Sequence, residues 1–524
     1  MATRLTAEEL KQISTFRRRS VFFCFVTIIL FLLLASRFFY LQILEYDNFI
    51  IKAEANRKTE TAHPPRRGII MDKNGELLAA NEPIYTLEIT PGKVVGLAKT
   101  IEALEKIIPI TKYDKKRFYR LKDELPRLSP VPLKSNLTDE DVARFIAQAW
   151  KFPGVEVRSR MHRYYPQGKD AAHVVGYIGR ISQRDQAALE KSGKEAEYSG
   201  TLNIGKLGLE QSYEDVLHGK PGIEELEVRA SGRPIRSLSK SPATSGSNLI
   251  LSLDMGLQRE ITKVLDGRRG AIVAIEPATG DVLAFVSNPS FDPNLFVDGI
   301  DQETWDELNN DEDKPLLNRA LRGAYPIGST IKPFLALSAA QLGVRDPNRV
   351  IQDRGTFQLG NHTFRDSTHG RGYGPVDMKR SIVVSSDVYY YSLAQDMGID
   401  KIHDSLAPFG FGQITGIDLK GEVRGILPSK EWKEKRFKRK WLTGDTISVG
   451  IGQGYNAFTM LQLAHAVATL ANDGVVMKPH LVKKIENPTT GEEEYVAREP
   501  VGKIPFKPEY LKLVKSAMHE VTNK

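Results

Sequence analysis

Ser329 and Lys332 stand three residues apart in the stretch GAYPIGSTIKPF, residues 323–334. If a helix begins near Ser329, the two side chains share one face and the lysine nitrogen reaches the serine hydroxyl. A serine hydroxyl is a weak nucleophile and needs a base. Lysine serves as one when burial and nearby positive potential lower its pKa enough to populate the neutral amine. The start of the helix adds N–H donors and positive potential that would stabilise an oxyanion. Pro333 is tolerable only at or near the first turn. The competing explanation is an N-cap serine followed by a surface lysine. Spacing alone does not decide, because SLSK repeats it with Ser237 and Lys240.

A second polar group lies about fifty residues on, in SIVVSSDVYYYSLAQDMG. Ser385 and Asp387 precede a hydrophobic helical pattern, where both residue types also serve as caps. Just before them, Asp353, Asp366 and His369 supply oxygen and nitrogen ligands. Three such ligands and a water suffice for zinc. A loop of solvated Asp and His accounts for the same residues.

The 524 residues exceed one core, so two or three domains are expected. Net charge is +8, with Lys and Arg spread along the chain and no nucleic-acid motif, which reads as solvated basic surface. The single cysteine, Cys24, excludes an intrachain disulfide and a zinc site built on cysteines. Residues 21–44 form an apolar run broken only by Arg37, long enough to span a bilayer. Arg17, Arg18 and Arg19 place residues 1–20 in the cytoplasm. The apolar continuation past Ala35 favours an uncleaved anchor over a signal peptide. The bulk of the chain is then extracytoplasmic.

Beyond the anchor, Asn74-Gly75 marks a hairpin in RRGIIMDKNGELLA, and 97–150 shows helical spacing. Residues 236–248, rich in Ser, Pro and Gly, read as a linker. Strand, helix and hairpin follow: LILSLD, MGLQREITKVLDG, then GAIVAIEPATGDVLAFVS turning at Pro277 to Gly280. Helical patterns dominate afterwards, each ending in Gly. The expected fold class is multidomain α+β.

S-x-x-K, then S-D-N, then K-T-G is a known superfamily signature. With RYYPQGKDAAHVVGYIG, GLEQSYEDVLHGKPG, NRALRGAYPIGSTIKP and GDTISVGIGQG in order, the chain resembles the membrane-anchored class B penicillin-binding proteins. Asp387 in the second motif is similar to the elongation-type branch rather than the division-type one. The resemblance implies a cytoplasmic tail (1–20), a transmembrane helix (21–44), an elongated α/β pedestal (45–235), a linker (236–248) and an α/β transpeptidase domain (249–524). It implies Ser329 as acylated nucleophile, Lys332 as base, Ser385 as proton relay and Asp387 as third residue of its motif. No organic cofactor is implied. Zinc occurs at the 353–369 position in some relatives, with a cysteine ligand absent here.

Implied partners are peptidoglycan stem peptides, β-lactams, a RodA-type glycosyltransferase with other elongation-complex proteins, and the bacterial inner membrane. The leading expectation is a D,D-transpeptidase of cell-wall elongation; a scaffold that activates such a polymerase, a division-type transpeptidase, a β-lactam sensor or a β-lactamase stays open as an alternative. The third motif is not found after Ser385; KSG at 191–193 precedes the nucleophile. The expectation is a chain stopping short of that motif, and so inactive or nearly so without it.

Overall fold

The computed structural model describes residues 7–47, 57–125, 127, 129–228 and 234–523. Two compact units emerge: Met1–Pro64 with Pro221–Ala243, and Pro65–Lys220 with Thr244–Lys524.

In the first unit, Ala7–Phe39 is an α-helix continued by a π turn at Tyr40–Leu44. Gln12–Leu44 is long and apolar enough to cross a membrane, and none of it is buried. An unburied helix that is apolar all round suits lipid. The same unit holds an antiparallel sheet of Lys58–His63, Gly222–Val228 and Pro234–Ser241. The stretch expected to be a linker is therefore largely strand. Its basic residues face acidic partners: Glu224 lies opposite Lys240 and Glu227 opposite Arg236. Cross-strand charge pairing supplies what a Ser-rich composition does not advertise. Ser237 and Lys240 are exposed on this strand, away from any buried environment that could lower a lysine pKa.

The second unit is built on a seven-stranded sheet. Its strands run Glu493–Tyr495, Val482–Glu486, Asn248–Leu251, Ile70–Met71, Leu77–Ile89 and Val131–Leu137, and Val155–Tyr164 also pairs with Leu77–Ile89. The Asn74-Gly75 hairpin forms as the sequence suggests, with Gly75 at φ 86°. Asp72 accepts from the N–H groups of Asn74 and Glu76 inside it. The hairpin Gly270–Ile275 and Val282–Asn288 also forms, and helix Met460–Ala471 packs on its first strand. Gly343 and Gly474 follow their helices; Gly398 instead kinks Asp387–Leu406. Lys191 and Ser192 end the helix Gln183–Ser192, so that KSG is a helix terminus with Gly193 as its left-handed cap.

Three of the ordered sequence segments meet at one buried ion network. Glu210, fully buried, accepts from Arg67 Nε at 2.6 Å, Arg163 Nε at 2.7 Å and Tyr165 Oη at 3.2 Å. Arg67 also donates to Glu214 at 2.6 Å, and Arg163 to Gly68 O at 2.8 Å. Burial pushes the Glu210 carboxyl up, but Arg163 and Arg67 hold it below the usual range. Its stabilisation is therefore present above the unfolded glutamate pKa and is lost as pH falls through the lower folded value. Glu210→Ala should destabilise the second unit by about 3–5 kcal/mol, because it leaves buried Arg163 and partly buried Arg67 short of a partner. Thermal denaturation at neutral pH checks this, and an unchanged midpoint would contradict it.

Candidate active site

Gly328–Ile331 forms a 3-10 turn, and the α-helix Lys332–Gln341 starts immediately after it with Pro333 in its first turn. The expected helix thus begins three residues later than Ser329. The consequence favours the pair, since a 3-10 turn has three residues per turn and eclipses side chains at i and i+3. Ser329 is exposed, whereas Lys332 is only 1% exposed. Neither matches the bland alternative. The N-cap positions here fall to Ile327 and Ile331, and the lysine is not on the surface.

The helix beginning at Lys332 is buried on nearly every side by Phe334, Leu335, Leu337 and their neighbours. This places the ammonium among groups that must satisfy it. Lys332 Nζ donates to Ser385 O at 2.8 Å, to Ser385 Oγ at 3.0 Å and to Asp387 Oδ1 at 2.6 Å. It also lies 5.4 Å from the centre of the Tyr390 ring. An ammonium has three protons, so these bonds use all of them.

The second motif is shaped for this contact. Ser385 has φ 53°, a left-handed conformation unusual for serine, which costs on the order of 1–3 kcal/mol. It turns both the carbonyl and the hydroxyl of Ser385 toward Lys332. Ser386, not Ser385 or Asp387, caps the helix Asp387–Leu406 by accepting from Tyr389 N at 3.2 Å. The capping explanation therefore belongs to the middle residue, and the flanking two are released to the lysine. Buried Arg345 anchors the same helix through Asp396 at 2.5 Å and Ser392 at 3.1 Å.

The GIGQG segment closes the other side. Gly328 N donates to Gly452 O at 3.0 Å, and a Cβ on Gly452 would stand 2.0 Å from Gly328 O. With φ 74° as well, position 452 accepts only glycine. The sequence flagged this segment by its motif, but its seat beside Ser329 is a long-range contact that no local pattern reveals.

Asp353, Asp366 and His369 do not make the ligand set considered from the sequence. Asp353 Oδ1 accepts from Gly355 N at 2.7 Å, and Oδ2 from Ser386 Oγ at 2.6 Å. Asp366 Oδ1 accepts from Thr368, while its buried Oδ2 has no hydrogen-bond partner. His369 is exposed. Among the described residues, no group of three or more His, Cys, Asp or Glu is arranged to hold a metal. The two carboxylates act on Lys332 instead. Burial lowers the lysine below its ordinary value, while Asp387 first, then Asp366 and Asp353, favour the cation.

This geometry buries a lysine whose pKa burial lowers, one turn along the chain from an exposed serine. The penicillin binding protein transpeptidase domain matches residues 270–524, and the penicillin-binding protein dimerisation domain matches 62–251. The chain belongs to the class B penicillin-binding proteins. It is 44% identical to the peptidoglycan D,D-transpeptidase MrdA of Acinetobacter baumannii, over 94% of this chain and 72% of that protein. Against MrdA of Escherichia coli K12 the figures are 43%, 89% and 74%. Among solved structures it is similar to Pseudomonas aeruginosa PBP2 in complex with WCK 5153. That match has TM-score 0.67 and 34% identity, covering 89% of this chain and 81% of that one. It is also similar to Helicobacter pylori PBP2 in complex with MreC, with TM-score 0.77 and 29% identity over 89% and 85%.

If Asp387 holds Lys332 protonated, Asp387→Asn should let the amine lose its proton at lower pH. The acid limb of the acylation pH profile should then move down by about one to three units. A limb that stays in place or moves to higher pH contradicts this electrostatic account.

Proposed function

We propose that this protein is a serine D,D-transpeptidase that cross-links peptidoglycan stem peptides during cell-wall elongation, and that β-lactams acylate the same serine. The carrying observation is the buried Lys332, with every proton committed to Ser385 and Asp387.

In this reading Lys332 must first be neutral, since a fully bonded ammonium has no lone pair to offer. Its burial favours that form. Ser329 Oγ attacks the carbonyl carbon of the penultimate D-Ala, and its proton passes to Lys332 Nζ. The backbone N–H of Ser329, in the turn Gly328–Ile331, serves as a donor to the oxyanion in this reading. Collapse breaks the peptide C–N bond. The leaving D-Ala amine takes a proton through Ser385 Oγ, which Lys332 replenishes across 3.0 Å. An amine of a neighbouring stem peptide then attacks the ester by the reverse path, giving the cross-link and freeing Ser329. A β-lactam opens by the same attack, but its leaving amine stays tethered and no cross-link resolves it. No step drawn here calls for a metal or organic cofactor.

The apolar helix Gln12–Leu44 serves as a single-pass anchor in the bacterial cytoplasmic membrane, with Arg17 to Arg19 inside. The folded bulk then faces the periplasmic side. A RodA-type glycosyltransferase and other elongation-complex proteins are the partners of this reading. Its support is the likeness to PBP2 solved with MreC and to the chain solved in a peptidoglycan synthase complex.

Ser329→Ala in the full-length protein should abolish both covalent β-lactam labelling and cross-linking while the thermal midpoint stays close to the parent. Mass spectrometry of the labelled peptide and a cross-linking assay read this out. Retained cross-linking by the variant would contradict the assignment.

A further inference from the structure

Residues 430–440, KEWKEKRFKRK, carry seven Lys and Arg against two Glu. The chain's positive excess is thus concentrated here rather than only spread along its length. Helix Lys430–Phe437 and the residues after it divide into two parts. One part is anchored. Lys433 is 4% exposed and paired with Asp445, and it lies over the rings of Trp441 and Tyr455 at 5.7 and 5.5 Å. Trp432 and Phe437 pack on Tyr455 at 5.3 and 5.4 Å. The other part is presented to solvent. Lys435, Arg436, Lys438, Arg439 and Lys440 are all exposed, and none forms an ion pair among the described residues.

The anchor fixes where this patch stands. Tyr455 is three residues from Gly452, a reach of at most about 10 Å, and Gly452 O accepts from Gly328 N beside Ser329. Five unpaired cations therefore flank the loop that seats the nucleophile. Clustered charge of one sign beside a site raises the local concentration of oppositely charged substrate and speeds its encounter.

We propose that Lys435, Arg436, Lys438, Arg439 and Lys440 form a docking surface for the carboxylate-bearing stem peptides of a peptidoglycan strand. This rests on the transpeptidase reading above, which supplies the anionic polymer. The patch holds the strand by charge while one of its stem peptides reaches Ser329. An anionic membrane surface is the rival occupant. The strand is preferred because the patch shares its supporting loop with the nucleophile.

The test uses the full-length protein in detergent and purified peptidoglycan sacculi. Co-sedimentation should weaken steeply as NaCl is raised. The variant K435Q/R436Q/K438Q/R439Q/K440Q should bind about tenfold less at low salt, with end-point β-lactam labelling of Ser329 unchanged. Amidating the sacculus carboxylates should give the same loss with the unaltered protein, which needs no variant to fold. Binding that survives both the variant and amidation overturns the proposal. So does a variant that loses binding to anionic phospholipid vesicles while holding sacculi as the parent does. Failure of the unaltered protein to label would count against the transpeptidase reading instead.

Discussion

A single ammonium group organises this site. Lys332 is placed in the core by a helix whose other buried side chains are apolar except Ser338, and an isolated buried charge would be costly. The second motif answers that cost. Ser385 adopts a left-handed backbone so that two of its oxygens face the lysine, and Asp387 brings the countercharge to 2.6 Å. Arg345 holds the helix carrying Asp387, and Ser386 caps it. Each of these features follows from the requirement that one buried cation be satisfied.

The same requirement sets the chemistry. Burial disfavours the charged form, and three carboxylates favour it. Asp387, in direct contact, has the largest pull; Asp366 and Asp353 add to it from further away. A lysine balanced between these influences changes protonation state more readily than a free one. The 3-10 turn that carries Ser329 runs directly into the helix that begins at Lys332, and the seat of Gly328 on Gly452 keeps the turn in place.

The residues that could do chemistry were legible because their types are few and their order is distinctive. Ser329, Lys332, Ser385 and Asp387 were all visible in the chain, and the structure brings the last three into contact. What their spacing could not say was which polar residue caps the helix. Ser385, Ser386 and Asp387 are all competent caps, and only the left-handed φ of Ser385 decides among them. Ligand types at Asp353, Asp366 and His369 were equally visible. Composition does not reveal that Gly355 and Ser386 hold the two oxygens of Asp353, that Thr368 holds only one of Asp366, and that His369 stays exposed. The strand Pro234–Ser241 was hidden for a related reason: its pairing partner, a Glu-rich strand, supplies the order that its own Ser and Pro content conceals.

Replacing Lys332 with arginine isolates the central claim. Arginine keeps a cation beside Asp387 but cannot give up its proton. Stopped-flow acylation of the full-length Lys332→Arg protein by a β-lactam should therefore slow by about 10²–10⁴-fold, with the thermal midpoint largely retained. Acylation within a few fold of the parent would show that Ser329 is activated by something other than this lysine.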